Sequence, residues 1–197
     1  VLITAAASHP GGSGRLHYSL PDSDRQLWLL KRSPETPEAA TVLQHWLSEL
    51  LGERPDIQRT DAGKPYLATR ALQFNFTHSK TWFALAWQLG STPIGVDIED
   101  LDRRSRFPAL AARYFHPAEY AQWLSADEHQ RATTWLRTWT RKEAVLKAHG
   151  LGLRVQLNTL DTCRDAVQHR LIGAWHLHSF YLPDAVVSVS WPTPASP

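Results

Sequence analysis

Apolar positions along the chain change their spacing several times, and each change marks an element. Val42, Leu43, Trp46, Leu47 and Leu50 recur three and four residues apart, the pattern of a helix with one buried face. Ser33 offers an N-cap with Pro34 at the first helical position, and Gly52 offers a stop, so a helix is expected from there to Leu51. Ahead of it, the opening VLITAAAS reads as a first strand, GGSG at 11–14 as a turn, and QLWLLK at 26–31 as a strand. Beyond it, Gly63 and Pro65 set Lys64 in a turn (GKPYL), TWFALAWQL at 81–89 is strand-like, and GSTP at 90–93 turns it into a strand at 94–99.

The second half repeats this plan loosely. Helical material is expected from 108 to 123 and a long helix from 126 to 148, followed by alternating strands at 170–181 and 185–191 that turn at Pro183 and Asp184. FALAWQ and VVSVSW, each near the end of its half, hint at an internal duplication. The long helix carries an apolar stripe through Ala132, Trp135, Leu136, Trp139 and Leu146, and Glu143 falls inside it. At ~100° per residue, Glu143 projects within roughly 40° of Leu136 and Trp139. A pair with Lys147 one turn on returns about 0.2–0.5 kcal/mol, less than the several kcal/mol that removing an ionised carboxylate from water costs. Two readings follow: a structural Glu143–Lys147 pair, or a working site.

Composition narrows the setting. With 43% hydrophobic and 20% charged residues, the 197-residue chain reads as an ordinary folded protein able to bury a core. Its single cysteine, Cys163, leaves no partner for an internal disulfide, so the cytoplasm is the expected compartment. The opening apolar segment has no basic residue before it and is too short for a membrane span, so no membrane partner is expected. A net charge of +2 falls far short of the basic stripe of a dedicated nucleic-acid binder but leaves room for a small anionic ligand.

Candidate chemistry lies in three segments. In IGVDIED, Asp97 and Glu99 are two apart, so on a strand their side chains leave the same face. Two like charges that close repel, and a hard cation such as Mg²⁺ relieves the repulsion, although a solvated strand end is the plainer reading of this motif alone. If the long helix packs on that sheet, Glu143 adds a third carboxylate, and Lys142 and Lys147 supply charge for an anionic substrate, a set suited to phosphoryl chemistry. In FNFTHSK, Asn75, Thr77, His78, Ser79 and Lys80 crowd polar groups into an expected loop that suits a phosphate. His176 and His178 share a strand face, but two ligands make no metal site.

Together these segments resemble a known family. Gly95-Val96-Asp97-Ile98-Glu99, followed by Trp139-Thr140-Arg141-Lys142-Glu143-Ala144 and Lys147, is similar to the paired signature (I/V)G(I/V)D…W(T/S)xKEAxxK of the 4′-phosphopantetheinyl transferases. Gly63-Lys64-Pro65 and Phe74-Asn75-Phe76-Thr77-His78-Ser79 resemble that family's GKP and FNxSHS segments. The resemblance implies transfer of the phosphopantetheine arm of coenzyme A to a serine of an apo acyl or peptidyl carrier protein, with release of adenosine 3′,5′-bisphosphate. It implies Asp97, Glu99 and Glu143 as Mg²⁺ ligands, Glu143 also as the base for the carrier serine, Lys147 and His78 at the coenzyme A phosphates, and Lys64 beside the adenine. Thr77 stands where the family usually has serine and keeps a hydroxyl. The basic residues often seen in the family's first helix are missing; near Thr41 the sequence offers Lys31 and Arg32.

The family's larger, monomeric type implies an α+β fold, a pseudo-dimer of two similar halves at 1–92 and 93–197. Each half would be a small, mostly antiparallel sheet packed against a long helix, with the coenzyme A contacts in the first and the metal site in the second. A Mg²⁺-dependent phosphohydrolase acting on a small phosphate ester or coenzyme A is the alternative from the same carboxylates, and a coenzyme A or nucleotide binding module is the non-enzymatic one.

Overall fold

Every strand pair among the described residues is antiparallel. The computed structural model describes residues 3–5, 14–20, 24–61, 63–69, 72–103, 107–150 and 155–193, the first of these by backbone alone. The chain divides into two compact units, Val1–Thr92 and Pro93–Pro197. A mixed α/β architecture with antiparallel sheets is what the sequence predicts, and it is what the chain has. No helix among the described residues is long and apolar enough to cross a membrane.

The first unit holds β1 (Ile3–Ala5), β2 (Leu16–Ser19), β3 (Gln26–Lys31), helix α1 (Ala39–Leu51), the short pair β4 (Ile57–Arg59) and β5 (Pro65–Leu67), then β6 (Leu72–His78) and β7 (Trp82–Leu89). Its five-stranded sheet runs in the order β1-β2-β3-β7-β6. Val42, Leu43, Trp46 and Leu47 of α1 bury against Trp28, Phe74, Phe83 and Leu85, as the helical spacing predicts. The start of α1 differs from expectation. Pro37 has no N–H to give the carbonyl of Ser33, so the backbone closes a tight turn instead, with Thr36 N–H donating to Ser33 O at 3.0 Å, and the helix begins only at Ala39. The expected GGSG turn at 11–14 falls mostly outside the described residues.

FNFTHSK is likewise not a loop through most of its length, since Phe74 to His78 are strand β6, paired with β7. Alternation of large apolar and smaller polar side chains is a strand pattern, and it outweighs the polar composition. Only Ser79 to Thr81 turn, with Ser79 N–H donating to Trp82 O at 2.9 Å.

The second unit has β8 (Gly95–Asp100), helices α2 (Phe107–Tyr114), α3 (Pro117–Ser125) and α4 (Glu128–His149), then β9 (Ala166–His169), β10 (Gly173–Tyr181) and β11 (Ala185–Pro192). The sheet order is β8-β11-β10-β9, and α4 packs along β8 and β11. The helical material expected from 108 to 123 is two helices. Pro117 ends one and starts the next, and the cap is closed by His116 and Glu119, whose carboxylate accepts from His116 N–H at 2.7 Å. Gly173, at φ 78°, turns β9 into β10, so the strand expected at 170–181 begins only at Gly173 and forms a hairpin with β9, which lies before the expected range.

Candidate functional site

Gly95 lets the helix reach the strand. A Cβ at this position would stand 2.0 Å from the carbonyl oxygen of Ala144 and 2.6 Å from the backbone nitrogen of Ala148, so α4 lies on β8 only because residue 95 has no side chain. Alternation along β8 puts Asp97 and Glu99 on the same face as Gly95, toward α4. The register supports this: Ser188 of β11 stands opposite Asp97, and its hydroxyl shares a 2.8 Å hydrogen bond with Thr140 of α4.

On that face Lys147 of α4 donates to Asp97 Oδ1, Nζ to oxygen 2.5 Å. The other carboxylate oxygen, Oδ2, is buried and has no hydrogen-bond partner among the described residues. Burial raises the Asp97 carboxyl above its ordinary range, and Lys147 and Arg103 offset part of that effect. Glu99 meets the Arg103 guanidinium yet is pushed up to about 7, first by burial and then by the charge of Asp97. Glu143 is half-buried, makes no hydrogen bond or ion pair with a described residue, and is raised by burial and by Asp97. Three acids thus lie on this wall, and cationic side chains hold two of them, Asp97 and Glu99.

Several expectations are corrected here. The structural Glu143–Lys147 pair is not formed, because Lys147 turns to Asp97. Glu143 lies at the edge of the dry face rather than in its middle, in a half-exposed row with Trp139 and Lys147, while Thr140, Arg141, Ala144 and Ala148 are buried beside it. Lys142 does not supply charge to a substrate. It is 0% exposed, and its ammonium donates to the carbonyls of Leu157 (2.7 Å) and Leu160 (2.5 Å) and pairs with Glu119 at 2.7 Å. Arg141 is buried too, bonded to the carbonyls of Thr162 and Arg164 and to Asp165. His176 and His178, for which no metal site was expected, contact aromatic rings: one stacks on Trp191 and the other lies edge-on to Phe180.

The remaining expected site residues belong to the first unit. Lys64 is half-buried beside a turn closed by Gly63, and burial lowers its ammonium. Thr77 and His78 end β6 on opposite faces, with exposed His78 edge-on to Phe83 at 5.9 Å.

Three oxygen-donor acids suit a hard cation, and the partnerless Asp97 Oδ2 is a donor atom without an occupation. As they lie, no three His, Cys, Asp or Glu side chains among the described residues are grouped closely enough to hold a metal ion. Arg103 and Lys147 hold oxygens of Glu99 and Asp97 instead. Sequence reasoning missed Arg103 altogether. Its signal was a cation four residues past Glu99, where the chain leaves the strand.

The family model of the 4′-phosphopantetheinyl transferase superfamily matches residues 93–189. The chain is 31% identical over 146 residues to the 4′-phosphopantetheinyl transferase AcpT of Salmonella typhimurium, covering 73% of this chain and 72% of that one. The chain belongs to this superfamily. It is also 37% identical over 119 residues to the 4′-phosphopantetheinyl transferase HetI of Nostoc sp., covering 57% of this chain and 50% of that one. A 4′-phosphopantetheinyl transferase of Bacillus subtilis is 34% identical over 123 residues, 62% and 50% of the two chains. The chain thus spans about half the length of these last two relatives. Asp97, Glu99, Glu143 and Lys147 lie within the superfamily match, while Lys64, Thr77 and His78 precede it.

Proposed function

We propose that this protein transfers the 4′-phosphopantetheine arm of coenzyme A to a serine of an apo acyl or peptidyl carrier protein, releasing adenosine 3′,5′-bisphosphate. Glu143 carries the reading: a half-buried carboxylate with no partner among the described residues, made more basic by burial and by Asp97, on a helix whose neighbouring cation is committed elsewhere. In this reading Glu143 takes the proton of the carrier serine as the serine oxygen bonds to the phosphorus of the pantetheine phosphate. The bond from that phosphorus to the adenosine bisphosphate oxygen breaks. Lys147, held at Asp97 through one of its three N–H donors, would offset with the others the charge that develops on the phosphate oxygens.

Asp97, Glu99 and Glu143 would hold Mg²⁺, which when bound polarises phosphoryl oxygens as a Lewis acid. Lys64, Thr77 and His78 would contact coenzyme A through an ammonium, a hydroxyl and an imidazole. The reading extends to a monomer in the cytoplasm, built as two halves of one plan, each with an antiparallel sheet and a helix. The test is the intact mass of apo carrier proteins after incubation with coenzyme A, Mg²⁺ and this protein. A gain of one phosphopantetheine is expected. Release of inorganic phosphate from coenzyme A or small esters, with no gain on any carrier, would replace transfer by hydrolysis.

A further inference from the structure

We infer that Arg103 is the standing counter-ion of the carboxylate site, a positioning residue that holds Glu99 until a divalent cation displaces it and so sets how tightly that cation binds. The inference rests on the proposal that Asp97, Glu99 and Glu143 hold a metal ion. Arg103 leaves β8 in a turn, its N–H donating to Asp100 O at 3.1 Å, and its guanidinium contacts Glu99 Oε1. The same guanidinium lies over two indoles, 5.5 Å from the centre of Trp139 and 5.7 Å from Trp135. These rings stack on each other at 5.2 Å and 12°. Trp135 is fully buried and fixed by its indole N–H to Phe107 O at 3.0 Å, so the shelf under Arg103 is rigid.

Three features separate Arg103 from an ordinary surface pair. It occupies Oε1 of Glu99, one of the three candidate ligands. Its contact with Glu99 is matched by that of Lys147 with Asp97, so each strand carboxylate already has a cation against it. With Lys147 it sets two cationic side chains among three acids. And it is placed to leave: its side chain is 28% exposed, unlike the wholly enclosed Arg141 and Lys142 nearby, and the aromatic shelf gives a planar, weakly hydrated guanidinium somewhere to rest once Glu99 is taken. A guanidinium and a divalent cation cannot share that oxygen face without strong repulsion, so binding of one means release of the other.

The test is direct titration with Mn²⁺, a paramagnetic stand-in for Mg²⁺, followed by electron paramagnetic resonance of the free ion on the full chain without substrate. Arg103→Gln, which removes the competing charge, is expected to bind Mn²⁺ about tenfold more tightly than the unaltered protein. Arg103→Lys keeps the charge but loses the fork and the stacking, and should fall between the two. It also carries the test alone if Arg103→Gln does not fold. Equal or weaker Mn²⁺ binding by the folded variants overturns the inference, because a purely structural anchor can only loosen the site when it is lost. Absence of Mn²⁺ binding by every form, the unaltered one included, removes the metal proposal itself and the inference with it.

Discussion

Lys147 stands one helical turn beyond Glu143 and gives its ammonium to Asp97, 2.5 Å away on the neighbouring strand. The carboxylate that the helix itself would have neutralised is therefore left to other company. A cross-element pair replaces the local one because Asp97 is the more deeply buried of the two acids, at 6% exposure, and gains more from a cation.

Glu143→Gln keeps the shape and removes the charge. Transfer to a carrier should fall by roughly 10²–10⁴ while coenzyme A still binds. Thermal stability without metal should hold or rise, since an uncompensated, half-buried charge has gone. A variant that transfers at the unaltered rate would remove Glu143 from the chemistry.

Asp97→Ala should abolish Mg²⁺-dependent transfer without unfolding the protein. Lys147, whose side chain is 29% exposed, can turn to Glu143 or to water when Asp97 is lost. Carrier modification across a Mg²⁺ series, read beside the melting temperature, checks both halves of this expectation.

Lys142→Met should act on stability rather than on coenzyme A. Removing one member of a buried pair strands Glu119 and typically costs about 3–5 kcal/mol. Denaturant unfolding should show the loss, while calorimetry on the folded fraction should show unchanged affinity for coenzyme A.

Gly95→Ala sets a methyl group against the backbone of α4 at a distance no real contact allows. Overpacking of this kind costs roughly 1–3 kcal/mol, and the helix must lift from β8, carrying Glu143 with it. Transfer is expected to fall further than stability does, which parallel melting and activity assays would reveal.

Glu99 gives the protein a pH signature. Its ordinary value of 4.5 is raised to about 7 in the fold, so between those values the folded state holds a proton that the unfolded chain has released. Stability from this group is therefore fully present below pH ~4.5 and is lost as pH rises through ~7. Melting temperatures at pH 5 and pH 8 should differ less in Glu99→Gln than in the unaltered protein. A larger difference in the variant would contradict the shift.

Much of this was legible in the sequence, and the gaps have physical causes. The stripe of Val42, Leu43, Trp46 and Leu47 announced α1, since burial against a sheet needs only one face, but Pro37 moved the start of the helix by denying Ser33 a donor. Asp97 and Glu99 declared their common face by spacing alone. Lys142 did not declare its burial, because its partners are the main-chain oxygens of Leu157 and Leu160 and a glutamate on another helix, none of which local pattern reaches. Arg103 was hidden for the same reason: its value lies in two indoles and a carboxylate that meet only in the fold.

The two residues just before Glu143 have one more property. Arg141 and Lys142 reach the segment after α4 mainly through its carbonyl oxygens, those of Leu157, Leu160, Thr162 and Arg164. Every amino acid carries such an oxygen. The ground on which Glu143 stands is thus indifferent to most of the letters written there, and exposed positions of that segment are open to change while the carboxylate keeps its place.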